Sequence, residues 1–308
     1  MYFLMTIDVE CFSIQLNRCD PSIGKDVYDV GLPLLLDILA KYDIKGTFYF
    51  TGKMAKMFPE SVKLVREYNH EVGCHGYSHS PEKAFDVLSY DEQVAELVRA
   101  KKTIEKVAGR IQSFRAPALR INEDTVKALE YTGFTSDSSI CSQRFDGPFT
   151  FGSKKKLKWL IAPRRPYFLS YESIIKSGKS KILEIPVSAL FIPYIGTTMR
   201  ISPNLIKILQ KLLFFESKKT YKPVVFLFHP NECLGEGTKI TTTRRAKNLF
   251  EYFFADVLRQ RLKLRNLGIK ALKLLDEILK EACKQEFEFI TVSEFRRFWR
   301  RYMNVGSV

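Results

Sequence analysis

Short apolar runs of β character alternate with longer runs of helical spacing through the first half of the chain. Residues 2–8 (YFLMTID) read as a strand and 32–42 (LPLLLDILAKY) as a helix. Residues 46–50 (GTFYF) are again β-like, 59–68 have helical spacing with Pro59 in the first turn, and 71–75 form a third strand. The pattern predicts a long amphipathic helix over 89–107, opened by Ser89 with Asp91 and Glu92 at its positive end and stopped by Gly109. A strand at 113–117, an Asn-capped helix at 122–131 and a new strand from Phe134 follow. Such βαβα succession means parallel strands with helices outside.

The period is lost between 141 and 181, where Pro, Gly, Lys and Arg accumulate, and this stretch is expected to run over the barrel mouth. Regularity resumes at 182–186. A helix at about 203–215, a strongly apolar strand at 224–228, a helical stretch from about 244 broken at Gly268, a last strand at 288–292 and a short basic helix complete the chain. Seven or eight strands predict one α/β domain over 1–308. Its expected form is a distorted (β/α) barrel of about seven parallel strands, with an irregular excursion at about 141–181, a basic helical extension at about 244–285 and extra C-terminal helices.

Composition narrows the class. With 45% hydrophobic and 13% aromatic residues and no low-complexity tract, the chain can fill a core, and disorder is excluded. The first residues offer no basic leader and only a short apolar run before Asp8, and no uncharged stretch reaches the roughly 20 residues that span a bilayer. The expectation is a soluble, cytoplasmic protein. Six dispersed cysteines (Cys11, Cys19, Cys74, Cys141, Cys233, Cys283) form no C-x-x-C pair, so they read as buried thiols.

The net charge of +15 fits either a polyanionic partner or simple solubility. Lys154, Lys155, Lys156, Lys158, Arg164 and Arg165 crowd the excursion, and Arg244, Arg245, Lys247, Arg259, Arg261, Lys263 and Arg265 load the later helix. A solvated face is the common explanation; an acidic glycan or an anionic lipid headgroup is the sharper one. Leu249, Phe250, Phe253, Phe254, Val257, Leu258 and Leu262 give that helix a broad apolar stripe, suited to packing on the barrel and leaving room for peripheral membrane contact. No nucleic-acid motif is visible.

Candidate chemistry lies at strand ends. Two of the four histidines fall in His75-Gly76-Tyr77-Ser78-His79, where i, i+4 spacing lets both imidazoles meet one ion if the segment makes a helical turn. Asp8 and Glu10 share a face by the two-residue period of an extended chain. Two histidines and a carboxylate, with positions left for water, are a common catalytic metal arrangement. Arg115 (FRAP) and His229 (LFHP) also follow apolar strands, at the C-terminal ends where parallel barrels place their active sites. Phe12, Tyr77, Trp159 and Tyr194 could stack on a sugar ring, against the commoner reading as packing.

The ordered set Thr6-Ile7-Asp8-Val9-Glu10, His75-Gly76-Tyr77-Ser78-His79, Arg115-Ala116-Pro117 and Leu227-Phe228-His229-Pro230 resembles the polysaccharide deacetylase family, also called NodB-like or carbohydrate esterase family 4. The resemblance covers residues 1 to about 230. It implies a divalent metal, zinc being the expected ion, held by Glu10, His75 and His79, with Asp8 as general base, Arg115 orienting it and His229 as general acid. The usual pair of adjacent aspartates is absent. Val9 takes the second place and the carboxylate moves to Glu10, which is similar to an Asp-x-Glu branch and leaves an exchange of roles between Asp8 and Glu10 open. The usual late Asp/Trp motif is not recognisable, and Asp137 and Glu184 are candidates only for the surrounding layer.

The implied activity is metal-dependent N-deacetylation of an N-acetylated amino sugar, oligosaccharide or polysaccharide. The missing leader favours an intracellular, lipid-linked or acidic sugar. The alternatives are an allantoinase-like cyclic amidase and a catalytically inactive glycan-binding barrel.

Overall fold

The structure, a computed structural model, describes residues 1–16, 18–145, 154–235, 249 and 252–305. Strands β1 (Tyr2–Val9), β2 (Gly46–Phe50), β3 (Glu71–Cys74), β4 (Ser113–Phe114), β5 (Ser136–Asp137), β6 (Tyr167–Phe168), β7 (Leu183–Glu184), β8 (Val224–Phe228) and β9 (Glu288–Phe289) build one curled sheet. Its order is β8-β1-β2-β3-β4-β5-β7-β6, with β9 also paired to β1. All ladders are parallel except β6 on β7. Between β7 and β8 no ladder forms; the seam is held by Ser188, whose N–H donates to Val225 O (3.1 Å) and whose Oγ accepts from Val225 N–H (2.9 Å). The sheet is therefore a distorted barrel, as the strand pattern predicts.

The core forms on both sides of the sheet. β1 is buried along nearly its whole length because it pairs on both edges and is covered on both faces. Leu4 packs with Tyr49, Leu183, Ile185, Val225 and Phe295 in one cluster, while Phe3, Met5 and Ile7 join a larger cluster with the outer helices. Among those helices are α1 (Leu32–Lys41), α2 (Gly52–Met57), α3 (Pro59–Glu67), α4 (Tyr90–Ala108) and α5 (Glu123–Tyr131). α1 buries Leu32, Leu35, Leu36 and Leu39, one face at helical spacing. Ser89 and Glu92 close a capping box on α4, and Asn122 and Thr125 close one on α5, each satisfying N–H groups that the first turn leaves unpaired.

The second half adds α6 (Gly196–Ile201), α7 (Pro203–Thr220), α8 (Arg259–Lys263), α9 (Ile269–Lys284) and α10 (Val292–Val305). α7 outruns the expected end near 215 because apolar spacing continues through Phe214 to buried Ser217. The N-terminus of α10 closes the barrel floor: Val292 N–H donates to Thr47 Oγ1 (2.9 Å) and Ser293 N–H to Glu71 (2.9 Å).

The excursion divides: Arg144 reaches the cleft, while the later stretch descends along the sheet edge, where β6 runs antiparallel to β7. Arg164 pairs with Glu216, and Arg165 donates to Thr220 O (3.0 Å), beside the start of β8 and hence at the end opposite the site. The side chains of Lys154, Lys155 and Lys156, and residues Arg244, Arg245, Lys247 and Phe250, lie outside the described residues.

Candidate active site

Four strand ends deliver the six residues singled out by the sequence to one cleft. β1 carries Asp8 in its last turn of pleat and Glu10 just beyond Val9, on the same side and both buried. His75 follows β3; its N–H donates to Phe50 O (2.7 Å). The next residues make no helical turn. Gly76 has φ +67, a left-handed conformation that glycine adopts without strain, and the chain bends there. That bend, pinned by Gly52 N–H on Gly76 O (2.9 Å) and Lys53 N–H on Tyr77 O (2.8 Å), brings His79 back beside His75. The i, i+4 spacing thus works through a bend instead of the expected helix. Arg115 follows β4, with its N–H on Cys74 O (2.9 Å), and His229 follows β8.

Glu10, His75 and His79 present three ligand atoms that lie within 4.8 Å of one another. His79 Nε2 is 3.5 Å and His75 Nε2 3.8 Å from Glu10 Oε2. His75 Nδ1 sits 2.8 Å from Arg115 O, an acceptor only, so the ring carries its proton on Nδ1 and turns an Nε2 lone pair into the cluster. Burial holds His75 below its ordinary pKa and hence neutral, the form in which imidazole ligates. Glu10 Oε2 is buried without a hydrogen-bond partner. An orphaned carboxylate oxygen facing two imidazole nitrogens is a donor set that fits a divalent cation.

Asp8 lies between this cluster and the two cations of the cleft. Its Oδ1 accepts from Arg115 Nη1 (3.1 Å), and its Oδ2 is 3.7 Å from His75 Nε2 and 3.9 Å from His229 Nε2. Burial pushes the carboxyl up, but His75, Arg115 and His229 together outweigh it and hold Asp8 below its ordinary pKa, as the carboxylate. Arg115 is fully buried: Nε donates to Ser138 O (2.9 Å), Nη2 to Ser138 Oγ (2.8 Å), and the guanidinium lies over the Tyr49 ring at 4.6 Å.

His229 has a partner that the sequence did not reveal. Its Nδ1 lies 3.0 Å from Glu232 Oε1, and Glu232 is clamped in turn by the buried Arg200. Burial pulls the imidazole pKa down, yet the hydrogen bond and charge of Glu232, with Asp8 and Glu10 adding to it, leave it raised. Glu232 itself is held below its ordinary pKa, burial being outweighed by Arg200 and His229. Gly196 makes room: a Cβ there would stand 2.5 Å from Glu232 Oε1. The available signal was the His-x-x-Glu spacing behind β8; Arg200 offered none.

Behind Arg115 lies a second buried acidic pair. Asp137 accepts from Ser139 Oγ, which accepts Ala116 N–H (2.8 Å), and Glu184 Oε1 accepts Ile140 N–H (2.9 Å). Burial raises Asp137 to about 6 and Glu184 well above its ordinary value, the pair sharing a proton. Both fix the Arg115 loop, and among the described residues neither makes a hydrogen bond or ion pair with Glu10, His75 or His79.

The cleft has a volume of about 220 Å³, and its walls include Phe12, Ile14, Leu119 and Ile195. Of the aromatic candidates, Phe12 faces it, its ring centroid 5.0 Å from that of His79. Tyr194 and Trp159 are buried in the core, and Tyr77 lies under Arg99 at 3.6 Å.

A parallel barrel bearing two histidines and a carboxylate at its C-terminal face, with an Asp–Arg pair and a carboxylate-backed histidine alongside, has the layout of a hydrolytic metal site. Residues 26–136 match the family model described as polysaccharide deacetylase, and the resemblance to that family drawn from the four motifs stands. The match includes His75, His79 and Arg115.

A curated relative, the peptidoglycan deacetylase of Helicobacter pylori, is 31% identical over 127 residues, covering 41% of this chain and 42% of the relative. The peptidoglycan-N-acetylglucosamine deacetylase of Bacillus cereus is 32% identical over 96 residues, covering 31% and 34%. The chain thus spans less than half the length of these relatives. A solved structure assigned as a polysaccharide deacetylase, from Mycobacterium smegmatis, superposes with a TM-score of 0.65 at 20% identity, covering 98% of this chain and 91% of the other. Another, from Pseudomonas aeruginosa, gives 0.62 at 14% identity, covering 97% and 91%. These two support the fold.

Proposed function

We propose that the protein is a metal-dependent N-deacetylase that hydrolyses the acetamide of an N-acetylated amino sugar or glycan. The observation that carries this reading is the orphaned Glu10 oxygen facing His75 and His79, with a carboxylate and a protonatable imidazole 3.9 Å apart beside it. The deacetylase relatives support the substrate class.

Glu10, His75 and His79 would hold the ion, with zinc the expected one. Bound there, a divalent cation polarises the acyl carbonyl and acidifies water. Asp8, kept ionised and oriented by Arg115, takes the proton of the attacking water through Oδ2, since Oδ1 is engaged by the guanidinium. With one oxygen engaged by Arg115 and the other open, Asp8 suits proton transfer, while the Glu10 oxygen that faces the two imidazoles suits the ion. His229, whose proton Glu232 stabilises, delivers a proton to the departing amine, which leaves poorly as an anion.

Elemental analysis of the purified full chain, combined with an acetate-release screen over N-acetylated sugars, tests the reading. About one divalent ion per chain and chelator-sensitive acetate release are expected. Ring opening of a cyclic amide without acetate, or glycan binding without turnover under several metals, would replace it with the cyclic-amidase or the binding-barrel reading.

A further inference from the structure

The catalytic cleft does not end at the sugar-sized space above Asp8. Its outer wall, formed by Arg144, Ile195, Thr197, Arg259 and Lys263, is at the same time the inner wall of a second compartment of about 320 Å³. Away from that shared wall the second compartment is largely apolar, lined by Phe145, Ile192, Pro193, Ile201, Leu205 and Leu262, with Thr198 and Ser202 as its hydroxyl-bearing residues. Three cations therefore stand where the polar cleft passes into an apolar groove. A glycan chain extended along this path would need many polar partners in the groove, and beyond the shared wall only Thr198 and Ser202 bring side-chain hydroxyls. An anion at the junction followed by an apolar chain matches both parts.

The surface beyond continues the same character. Leu205, which lines the groove, is the first of four residues on one face of α7 that stay open to solvent: Leu205 36%, Ile208 58%, Leu212 52% and Phe215 63% exposed. Lys207, Lys211, Lys218 and Lys219 flank them on the same helix. Scattered apolar residues on a surface need no explanation, but a stripe at i, i+3, i+7 and i+10 beside lysines is the pattern of a helix lying on an anionic lipid interface. The groove opens at the end of that stripe.

Resting on the deacetylase reading, we propose that the substrate is an N-acylated sugar joined through an anionic group to a long apolar chain. The sugar sits above Asp8, the anion lies at Arg144, Arg259 and Lys263, and the chain occupies the groove and leads to a membrane on which α7 docks. The substrate class is then a lipid-linked sugar drawn from a bilayer.

Three probes test this with the zinc-loaded full chain: N-acetylglucosamine 1-phosphate, the decyl phosphodiester of that compound, and an N-acetylated chito-oligosaccharide. The decyl probe should show a kcat/KM at least about tenfold above both others, the gain expected from burying as few as two methylenes. The double variant Leu205→Glu, Leu262→Gln should collapse the ratio of decyl to non-alkylated probe toward one. Equal kcat/KM for the alkylated and free phosphate, or preference for the oligosaccharide, overturns the proposal.

Calorimetric binding of the same probes to metal-free protein separates this inference from the reading beneath it. If no probe is cleaved, the deacetylase reading fails; tighter binding of the decyl probe still upholds the groove, and equal affinities reject it. Vesicles of phosphatidylglycerol with phosphatidylcholine should co-sediment the wild type and retain markedly less of Ile208→Ser, Phe215→Ser. Absence of wild-type co-sedimentation, or a doubled mass in solution that the same two substitutions abolish, would assign the stripe to a contact between copies and remove the membrane from the proposal.

Discussion

Replacing Arg115 by Met tests the centre of the site, because the guanidinium is fully buried and is the only cation within hydrogen-bond distance of Asp8 among the described residues. Methionine fills much of the same volume, so the change isolates the lost charge and the three side-chain hydrogen bonds to Asp8 Oδ1, Ser138 O and Ser138 Oγ. Breaking a buried ion pair by removing one partner costs roughly 3–5 kcal/mol, since the remaining charge loses its compensation. Arg115→Lys keeps the charge and loses the fork, and should cost less, about 1–3 kcal/mol at one to two neutral hydrogen bonds.

The cost should depend on pH in a definite direction. Asp8 is held below its ordinary pKa, so its pairing contributes stability above the carboxylate range, and that contribution is lost as pH falls through the lowered value. In Arg115→Met the carboxylate keeps only His75 and His229 beside it and protonates earlier on acidification. The wild-type advantage should accordingly shrink as the pH falls toward the carboxylate range. Urea unfolding of the metal-free proteins, with midpoint and slope both fitted, measures it. An Arg115→Met variant within about 1 kcal/mol of wild type at pH 7, with an unchanged slope, would refute the account of Asp8 given above.

The remaining predictions concern the site's other parts. His79→Ala should lose bound zinc by elemental analysis while retaining its fold by circular dichroism; full occupancy would remove His79 from the ligand set. Glu232→Gln keeps a hydrogen-bond acceptor for His229 and removes the charge that raises its pKa, so the alkaline limb of the kcat/KM–pH profile should move to lower pH, and an unmoved limb would separate Glu232 from the acid. Gly76→Ala forces a left-handed φ on a residue whose Cβ would also crowd Phe85 and Pro117 at 3.2 Å, and should cost about 1–3 kcal/mol together with weaker zinc binding. His70 is buried as the neutral ring with Nδ1 accepting Gly46 N–H (3.1 Å) and a pKa lowered by burial from 6.5 to about 4. Its contribution to stability is present above pH 6.5 and lost on acidification, by about 2 kcal/mol between pH 7 and pH 5, a loss that His70→Gln should lack in urea unfolding.

The strands and helices flanking the site were legible where apolar runs were long. β1, β2 and β8 stand out because parallel strands covered on both faces need uninterrupted apolar sequence, and the caps at Ser89 and Asn122 declare themselves by residue type. β4, β5 and β7 have two residues each, too few to carry a period, and were placed only by the alternation around them. The site residues were readable because each follows a strand end. The i, i+4 spacing of His75 and His79 suits a helical turn where the chain instead bends at Gly76, since spacing alone does not distinguish a helix from a loop that returns. The clamp of Arg200 on Glu232 joins two elements 32 residues apart and depends on the missing side chain of Gly196. Such a contact exists only once the barrel has closed.

The pairing of β1 has a consequence for how the protein comes into being. Thr6 hands its hydroxyl to Phe226, 220 positions further along, and Tyr2 and Phe3 meet β9 later still. Loops of that span close slowly, so Asp8 and Glu10 precede β8 in synthesis by more than two hundred residues yet need it for the far side of their cleft. Before β8 emerges β1 can pair with β2 alone, and its other edge stays open. A fragment stopping short of β8 would lack both the wall beside β1 and His229, and ion binding should therefore be among the final events of maturation.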